Sequence, residues 1–280
     1  MQGDSKDTEL EIVLEIAREA AQLIREVYVT PFSVEMKGPN DPVTRADREA
    51  NELICRRLEE RFPGAAILAE ESVPESPEDI AKLLGNERVF FVDPLDGTRE
   101  FADKIPEFAV MIGLAVRGRP VLGVVVMPEQ GDALCGKLGA ETIAFRESGT
   151  GERSPLRVSD VSATAEAKMM VSRSHRPALI DPLATHLGVT QQVPCGSVGV
   201  KVSRVVTADA EIYVHAGRGA KLWDTCAPEA ILVAAGGRFT DLDGKLIDYT
   251  ATDISIPNGL VATNAVLFDR VIQAVASVRN

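Results

Sequence analysis

The 280-residue sequence is poor in cysteine (four), histidine (three), tyrosine (three) and tryptophan (one), and each scarcity removes a class of function. Cys55, Cys135, Cys195 and Cys226 lie far apart with no C-x-x-C pair, so neither a disulfide framework nor a zinc knuckle is indicated and buried free thiols are expected. His175, His186 and His215 never fall at i,i+4 spacing, which leaves a zinc hydrolase site unsupported. No run approaches the roughly 18 apolar residues of a membrane span, and Met1–Asp7 lacks the basic-then-apolar order of a signal peptide. A cytoplasmic protein with no membrane partner is the expectation. There is no Lys/Arg run, and a formal net charge of −12 argues against nucleic acid. An anionic substrate would then need bound cations to reverse the local field. Two near-motifs fail. Gly131–Leu138 nearly spells a phosphate-binding loop, but Leu138 replaces the hydroxyl residue that must reach Mg²⁺. Gly196-Ser197-Val198-Gly199 breaks the G-x-S-x-G spacing of a nucleophile elbow.

The 45% hydrophobic content is ample for a core. The informative stretch is Val89–Thr98, V-F-F-V-D-P-L-D-G-T. Four apolar residues in a row suit a buried strand, and Pro94, which cannot donate to a ladder, predicts that the strand ends there. Asp93 and Asp96 are left at its mouth. Gly97 permits close backbone approach, and Thr98 can open a helix whose free N–H groups favour an anion. The stretch can therefore hold a metal and a phosphate side by side.

Apolar residues at three- and four-residue spacing predict an amphipathic helix over Thr8–Val29, ended by Pro31, and a second over Thr44–Phe62 after the polar connector Lys37–Pro42. Ala65–Ala69 reads as a short strand running into Glu70-Glu71-Ser72, followed by a Pro/Glu-rich loop over Val73–Asp79. Phe108–Val116 and Val121–Met127 read as a hairpin, with weaker strands through Phe145. The polar stretch Glu147–Pro155 is the expected boundary between residues 1–153 and 154–280. Beyond it the pattern alternates: strand Lys168–Ser172, helix Ala178–Leu187, strand Gln191–Cys195, helix Val198–Thr207, strand Glu211–His215, helix Asp224–Ala235 closed by Gly236-Gly237, strand Val261–Thr263 and helix Val266–Val278. That order favours an α/β layered half with some parallel pairing.

Collected, the loop carboxylates are Asp47, Glu70, Glu71, Asp93, Asp96 and, after the sole tryptophan, Asp224. Hard oxygen ligands suit Mg²⁺, which takes one or two carboxylates and keeps waters, so a few aspartates serve several ions if one bridges. Asp93 is placed to bridge. Thr44-x-x-Asp47 is equally a capping-box pattern, Asp224 can equally cap a helix, and a helical lysine such as Lys201 is ordinarily solvated. Glu71 reads as a solvated neighbour.

Ala69-Glu70-Glu71-Ser72, Asp93-Pro94-Leu95-Asp96-Gly97-Thr98 and Trp223-Asp224, in this order, closely resemble the signatures of the inositol monophosphatase superfamily of Mg²⁺-dependent, lithium-sensitive phosphatases. Thr98-Arg99-Glu100-Phe101 with Glu107-Phe108, Ser172–His175, Gly196–Lys201 and Trp223–Glu229 look most like the 3′(2′),5′-bisphosphate nucleotidases, which take the 3′-phosphate from adenosine 3′,5′-bisphosphate (PAP). The resemblance implies a mixed α/β, layered αβαβα sandwich of the sugar-phosphatase type. It implies one Mg²⁺ on Glu70, Asp93 and the Leu95 carbonyl, a second on Asp93, Asp96 and Asp224, and a third, weaker ion near Glu70. Asp47 and Thr98 would activate water, with Glu70 beside them among the catalytic residues, and the Gly97 and Thr98 amides would hold the scissile phosphate. Ser174, His175, Gly196, Ser197 and Lys201 would face the nucleoside of a small phosphoester substrate, in a monomer or homodimer. Inositol monophosphatase or fructose-1,6-bisphosphatase activity is the alternative, because substrate choice lives in loops.

Overall fold

The computed structural model describes residues 8–38, 41–174, 176–217 and 219–279. In chain order the elements are α1 (Thr8–Tyr28), β1 (Val34–Gly38), β2 (Asp41–Thr44), α2 (Arg45–Arg61), β3 (Ala66–Ala69), a 3-10 turn (Glu70–Ser72), α3 (Pro77–Leu84), β4 (Arg88–Asp96), α4 (Thr98–Ala102), β5 (Ala109–Val116), β6 (Arg119–Met127), β7 (Asp132–Lys137), β8 (Ile143–Glu147) and β9 (Arg153–Pro155). There follow β10 (Lys168–Ser172), α5 (Ile180–Leu187), β11 (Gln191–Cys195), α6 (Val198–Val206), β12 (Ile212–His215), α7 (Leu222–Ala234), β13 (Gly237–Thr240), β14 (Leu260–Asn264) and α8 (Phe268–Arg279). No helix among them is long and apolar enough to cross a membrane.

Two sheets organise these elements. The first runs β3-β4-β5-β6-β7-β8-β9, parallel only between β3 and β4. The second runs β11-β10-β12-β14-β13, with β10 parallel to both β11 and β12 and the remaining pairs antiparallel. Alternation along each strand then builds five layers. Phe90, Val92, Val110 and Ile112 face the apolar stripes of α1 and α2, including Val13, Ala17 and Ile54. Val89, Phe91, Met111 and Val125 face the other way, onto α6 and α7, whose far side meets Met170, Tyr213 and Phe239 of the second sheet. Val171, Ile212, Val214 and Val261 cover the last face with α5 and α8. The architecture is the expected αβαβα sandwich. Burial on both faces explains why β4 reads as an unbroken apolar run.

Several local expectations change. β4 does not stop at Pro94; pairing shifts from Asp93↔Met111 to Asp96↔Ala109, so three steps on β4 oppose two on β5. That bulge accommodates the proline, which cannot serve a regular ladder, and keeps both aspartates at the sheet end. Of the Lys37–Pro42 connector, Lys37 and Gly38 belong to β1 and Asp41 and Pro42 to β2, which pair antiparallel, and Pro39 and Asn40 lie outside the described residues. The Val73–Asp79 loop gives way to α3, capped by the Ser76 hydroxyl on the Asp79 N–H at 3.0 Å. Gly237 opens β13 rather than extending a helix cap, and residue 153 falls at the start of edge strand β9.

The seat of α7 decides where the chemistry lies. A Cβ at Gly123 of β6 would stand 2.2 Å from the Ala227 carbonyl oxygen, and one at Gly113 of β5 2.6 Å from the Ala227 N. Bare backbone at these positions lets α7 lie directly on the first sheet. A hydrogen-bonded group around the buried Glu229 holds it there: the part-exposed Arg119 donates to Glu229 at 2.6 Å and to the Ile247 carbonyl at 2.9 Å, while the Tyr249 hydroxyl donates to Glu229 at 2.8 Å. Gly123→Ala is therefore expected to lower unfolding free energy by about 1–3 kcal/mol, the usual range for overpacking. Chemical denaturation checks it, and an unchanged midpoint would show that α7 can lift off the sheet freely.

Candidate active site

β4 carries Val89, Phe91 and Asp93 on one face, so period-2 geometry sends the Asp93 side chain toward α7 along with the phenylalanine. There it meets Asp224, the third residue of α7, whose Oδ2 accepts the Lys221 N–H at 2.7 Å. Glu70 enters from the 3-10 turn after β3, the parallel neighbour of β4. Glu70 and Asp224 lie close enough to Asp93 for their charges to act on it. Carboxylates crowded in this way ionise together only at a cost. Burial pushes Asp93 well above the usual carboxylate range, and the charges of Glu70, Asp96 and Asp224 push it further. Burial and then Asp96 and Glu70 do the same to Asp224. Glu70 rises to about 7, chiefly through burial, against the opposing charge of Lys37.

Lys37, from the connector ahead of α2, also reaches this group. Its ammonium lies 3.1 Å from Glu70 and 2.6 Å from Glu71, and the two carboxylates outweigh burial and hold its pKa above the ordinary lysine value. Glu71, expected to be solvated, is largely buried against it. Only the β1–β2 hairpin brings Lys37 over these glutamates, and no local signal in the sequence foretells that packing.

Asp47 caps α2 and reaches Thr98 at the same time. Its Oδ2 accepts the Thr44 N–H at 2.7 Å and the Thr44 hydroxyl at 2.6 Å, completing the cap of α2, while its Oδ1 lies 2.8 Å from Thr98 Oγ1. Burial raises its pKa against the hydrogen bonds from Thr44 and Thr98. Thr98 is also 3.1 Å from the Leu95 carbonyl, and Leu95 N–H donates to Asp93 Oδ1 at 3.0 Å. Gly97 precedes α4 at φ +96; a Cβ there would stand 2.9 Å from the Glu107 carbonyl oxygen, so glycine is required on two counts.

Asp96 reaches across to the other half of the chain. Its Oδ1 accepts the Val198 N–H at 3.1 Å, and its Oδ2 accepts the Gly199 N–H at 2.5 Å and the Ser197 hydroxyl. The start of α6 is thereby tied to the end of β4. Gly196 N–H donates to Glu107 at 2.8 Å. Glu107 in turn takes Arg173 at 2.6 Å, so the Arg173 guanidinium is turned onto this carboxylate. Lys201 is buried rather than solvated, donates to the Gly196 carbonyl at 3.2 Å, and has its pKa lowered by that burial. Ser174, Gly196, Ser197 and Lys201 line a cavity of about 740 Å³ that also touches Asp96, Thr98 and Asp224. His175 lies outside the described residues.

An all-oxygen donor set, deeply buried and mutually repelling, fits a hard divalent cation such as Mg²⁺. Among the described residues no three acidic, histidine or cysteine side chains close into a ready-made cation cage. Repulsion of this kind is relieved either by protons or by cations.

The sequence profile of the inositol monophosphatase family matches residues 5–279. The 3′(2′),5′-bisphosphate nucleotidase CysQ of Escherichia coli K12 is 35% identical over 243 residues, covering 86% of this chain and 94% of that protein. The human 3′(2′),5′-bisphosphate nucleotidase 1 is 29% identical over 262 residues, covering 84% of this chain and 83% of its own length. Among solved structures, the Thermotoga maritima inositol monophosphatase superposes with a TM-score of 0.80 at 24% identity, covering 97% of this chain and 98% of that one. CysQ from Bacteroides thetaiotaomicron gives 0.77 at 24% identity, covering 93% and 98%.

The raised acids make the cation-free protein sensitive to pH in a definite direction. A carboxyl that binds its proton more tightly when folded stabilises the fold below its unfolded pKa, and that stability is lost as pH rises through the folded value. Glu70, raised from 4.5 to about 7, sets the window. In EDTA the melting temperature should fall between about pH 5 and pH 8, and added Mg²⁺ should restore more at the upper end than at the lower. A Mg²⁺ shift independent of pH would show that the cation does not bind these carboxylates.

Proposed function

The chain belongs to the inositol monophosphatase family and is a phosphoric monoester hydrolase; we propose that within the family it is a Mg²⁺-dependent, lithium-sensitive 3′(2′),5′-bisphosphate nucleotidase that takes the 3′-phosphate from PAP. The observation that carries the substrate class is the size of the cavity. Its walls include the Asp96–Thr98 turn, Gly196, Ser197 and Lys201, and also Arg176 and Ile180. Its volume of about 740 Å³ suits a ligand the size of a nucleotide, within the roughly 300–1,000 Å³ range of such sites. An inositol phosphate would leave the far wall untouched. The identity to CysQ over most of both chains supports the same reading.

Glu70, Asp93 and the Leu95 carbonyl would hold one Mg²⁺, Asp93, Asp96 and Asp224 a second, with a third weaker ion beside Glu70. Such ions lower the pKa of bound water and neutralise charge on phosphoryl oxygens. The rest falls to the chain. The Gly97 and Thr98 amides hold the scissile phosphate. Thr98 Oγ1 accepts a proton from the attacking water as its own proton passes to Asp47 Oδ1, 2.8 Å away; burial makes Asp47 a stronger base than an ordinary aspartate. The water oxygen bonds to phosphorus, and the ester P–O bond breaks. The 3′-oxygen leaves with the bonding pair and takes a proton from solvent. The products are AMP and inorganic phosphate. Ser174, Gly196, Ser197 and Lys201 face the nucleoside side, and Lys201, deprived of water, makes a strong charge-assisted contact with any anion that enters.

Removing the base should reduce turnover by about 100-fold or more, so Thr98→Ala is expected to lose kcat while still binding Mg²⁺ in calorimetry, and Asp93→Asn to lose both. Full activity in Asp93→Asn, or insensitivity to Li⁺, would overturn the metal assignment.

Phosphate release from PAP, inositol 1-phosphate and fructose 1,6-bisphosphate tests the substrate. PAP should be preferred, and Lys201→Ala should weaken PAP hydrolysis about ten- to a hundredfold, the worth of a charge-assisted hydrogen bond, while sparing a small phosphoester. A wild-type preference for inositol 1-phosphate, or equal losses on both esters, would replace this reading with the inositol phosphatase one.

A further inference from the structure

Arg99, the second residue of α4, has no part in the chemistry described so far. It lines the cavity beside Thr98 and is half-buried, and among the described residues no hydrogen bond, ion pair or aromatic ring holds its guanidinium. The other arginine and the lysine of the described lining are engaged: Arg176 donates to Asp181 at 3.0 Å and to Gln192 at 2.5 Å, and Lys201 to the Gly196 carbonyl at 3.2 Å. Acidic residues outnumber Lys and Arg by 42 to 30 in this chain, so a partner carboxylate is easily had. A guanidinium that is partly withdrawn from water and lacks one keeps its fork of donors open for an anion.

The seat of α4 fixes where that guanidinium is presented. Phe101 is fully buried, with its ring centroid 5.0 Å from that of Tyr28, 4.8 Å from Phe32 and 5.2 Å from Phe108. Glu100 lies across Gly196, where a Cβ would stand 2.2 Å from its carboxyl carbon. Successive residues of a helix are turned by about 100°, so Arg99 leaves α4 on roughly the opposite side from Phe101, over the cavity and away from the core. Its Cα is about 3.8 Å from that of Thr98, whose hydroxyl lies 2.8 Å from Asp47. Packing thus holds a planar fork matched to phosphate oxygens next to the reacting group.

A phosphate at the reacting position would have its charge met by the cations on Glu70, Asp93, Asp96 and Asp224. A second phosphate on the same substrate brings charge remote from those ions and needs a protein cation of its own. We propose that Arg99 is a specificity-determining residue whose guanidinium binds the second phosphate of the substrate, the 5′-phosphate that stays on AMP. The inference rests on the nucleotidase reading and deepens it by naming the residue that tells a bisphosphate from a monophosphate.

Arg99→Ala and Arg99→Lys in the full-length chain test it with two nucleotides: PAP, and adenosine 3′-monophosphate, which has the same nucleoside and scissile ester but no 5′-phosphate. Wild type should prefer PAP. In Arg99→Ala that preference, taken as a ratio of kcat/KM values, should shrink about ten- to a hundredfold, the worth of a charge-assisted hydrogen bond. The loss should appear in KM for PAP, because the contact is the same in ground and transition states. Arg99→Lys should recover only part of it, since one ammonium does not replace a two-pronged fork. Equal losses on both nucleotides would overturn the role by placing Arg99 on the scissile phosphate or in the fold, and so would an unchanged preference. If wild type hydrolyses neither nucleotide, the nucleotidase reading falls first and takes the role of Arg99 with it.

Discussion

Carboxylates that crowd one another in a dry place set the terms for the rest of this molecule. Glu70, Asp93 and Asp224 come from three different elements and act on one another's charge, and burial denies them the water that would screen it. Each additional negative charge in such a space is costly unless a proton or a cation accompanies it. The fold does not remove the conflict by spacing the groups apart; it holds them together and leaves the conflict to be resolved by what binds. A chain with a net charge of −12 that handles an anionic phosphoester needs such a device, because cations gathered at one point reverse the sign of the field where substrate enters.

Holding the group together requires the two halves of the chain to be locked. α7 brings Asp224 to the mouth of β4 because Gly113 and Gly123 let the helix touch the sheet, and because Arg119, Glu229 and Tyr249 anchor it along its length. Glu229 is itself raised to about 7 by burial, eased by Arg119 and Tyr249. From the opposite side Asp96 captures the first amides of α6. A helix N-terminus is a natural seat for an anion, so one carboxylate both fixes α6 and lines the cavity. The Glu107–Arg173 pair adds a second tie at Gly196. The two sheets are thereby registered with one another, and Asp96 and Asp224 among these side chains also line the cavity.

The β1–β2 hairpin adds a layer over the same group. Lys37 rests on Glu70 and Glu71, so part of the negative charge is met by the chain's own cation. Its neighbours Val34 and Met36 are exposed large apolar residues, consistent with a strap held by that ion pair more than by burial in a core.

What could be read from the sequence is what depends on nearest neighbours along the chain. Apolar spacing placed α1, α2 and the alternating strands and helices after residue 168, because burial on one face imposes period 3.6 or 2 whatever the surroundings. V-F-F-V-D-P-L-D-G-T announced a buried strand ending on acids, and Thr44-x-x-Asp47 announced a helix start. The pattern could not say that Pro94 sits in a bulge, since that depends on pairing with Met111 and Ala109, or that Asp47 both caps α2 and receives Thr98, since its second partner lies fifty-one positions away. Nor could it foresee that Arg173 turns to Glu107, that Lys201 is buried, or that Lys37 covers Glu70. Those outcomes belong to the tertiary structure. Each requires residues remote in sequence to be pressed together out of water, and only there do charge and hydrogen bonding become strong enough to decide what a side chain does.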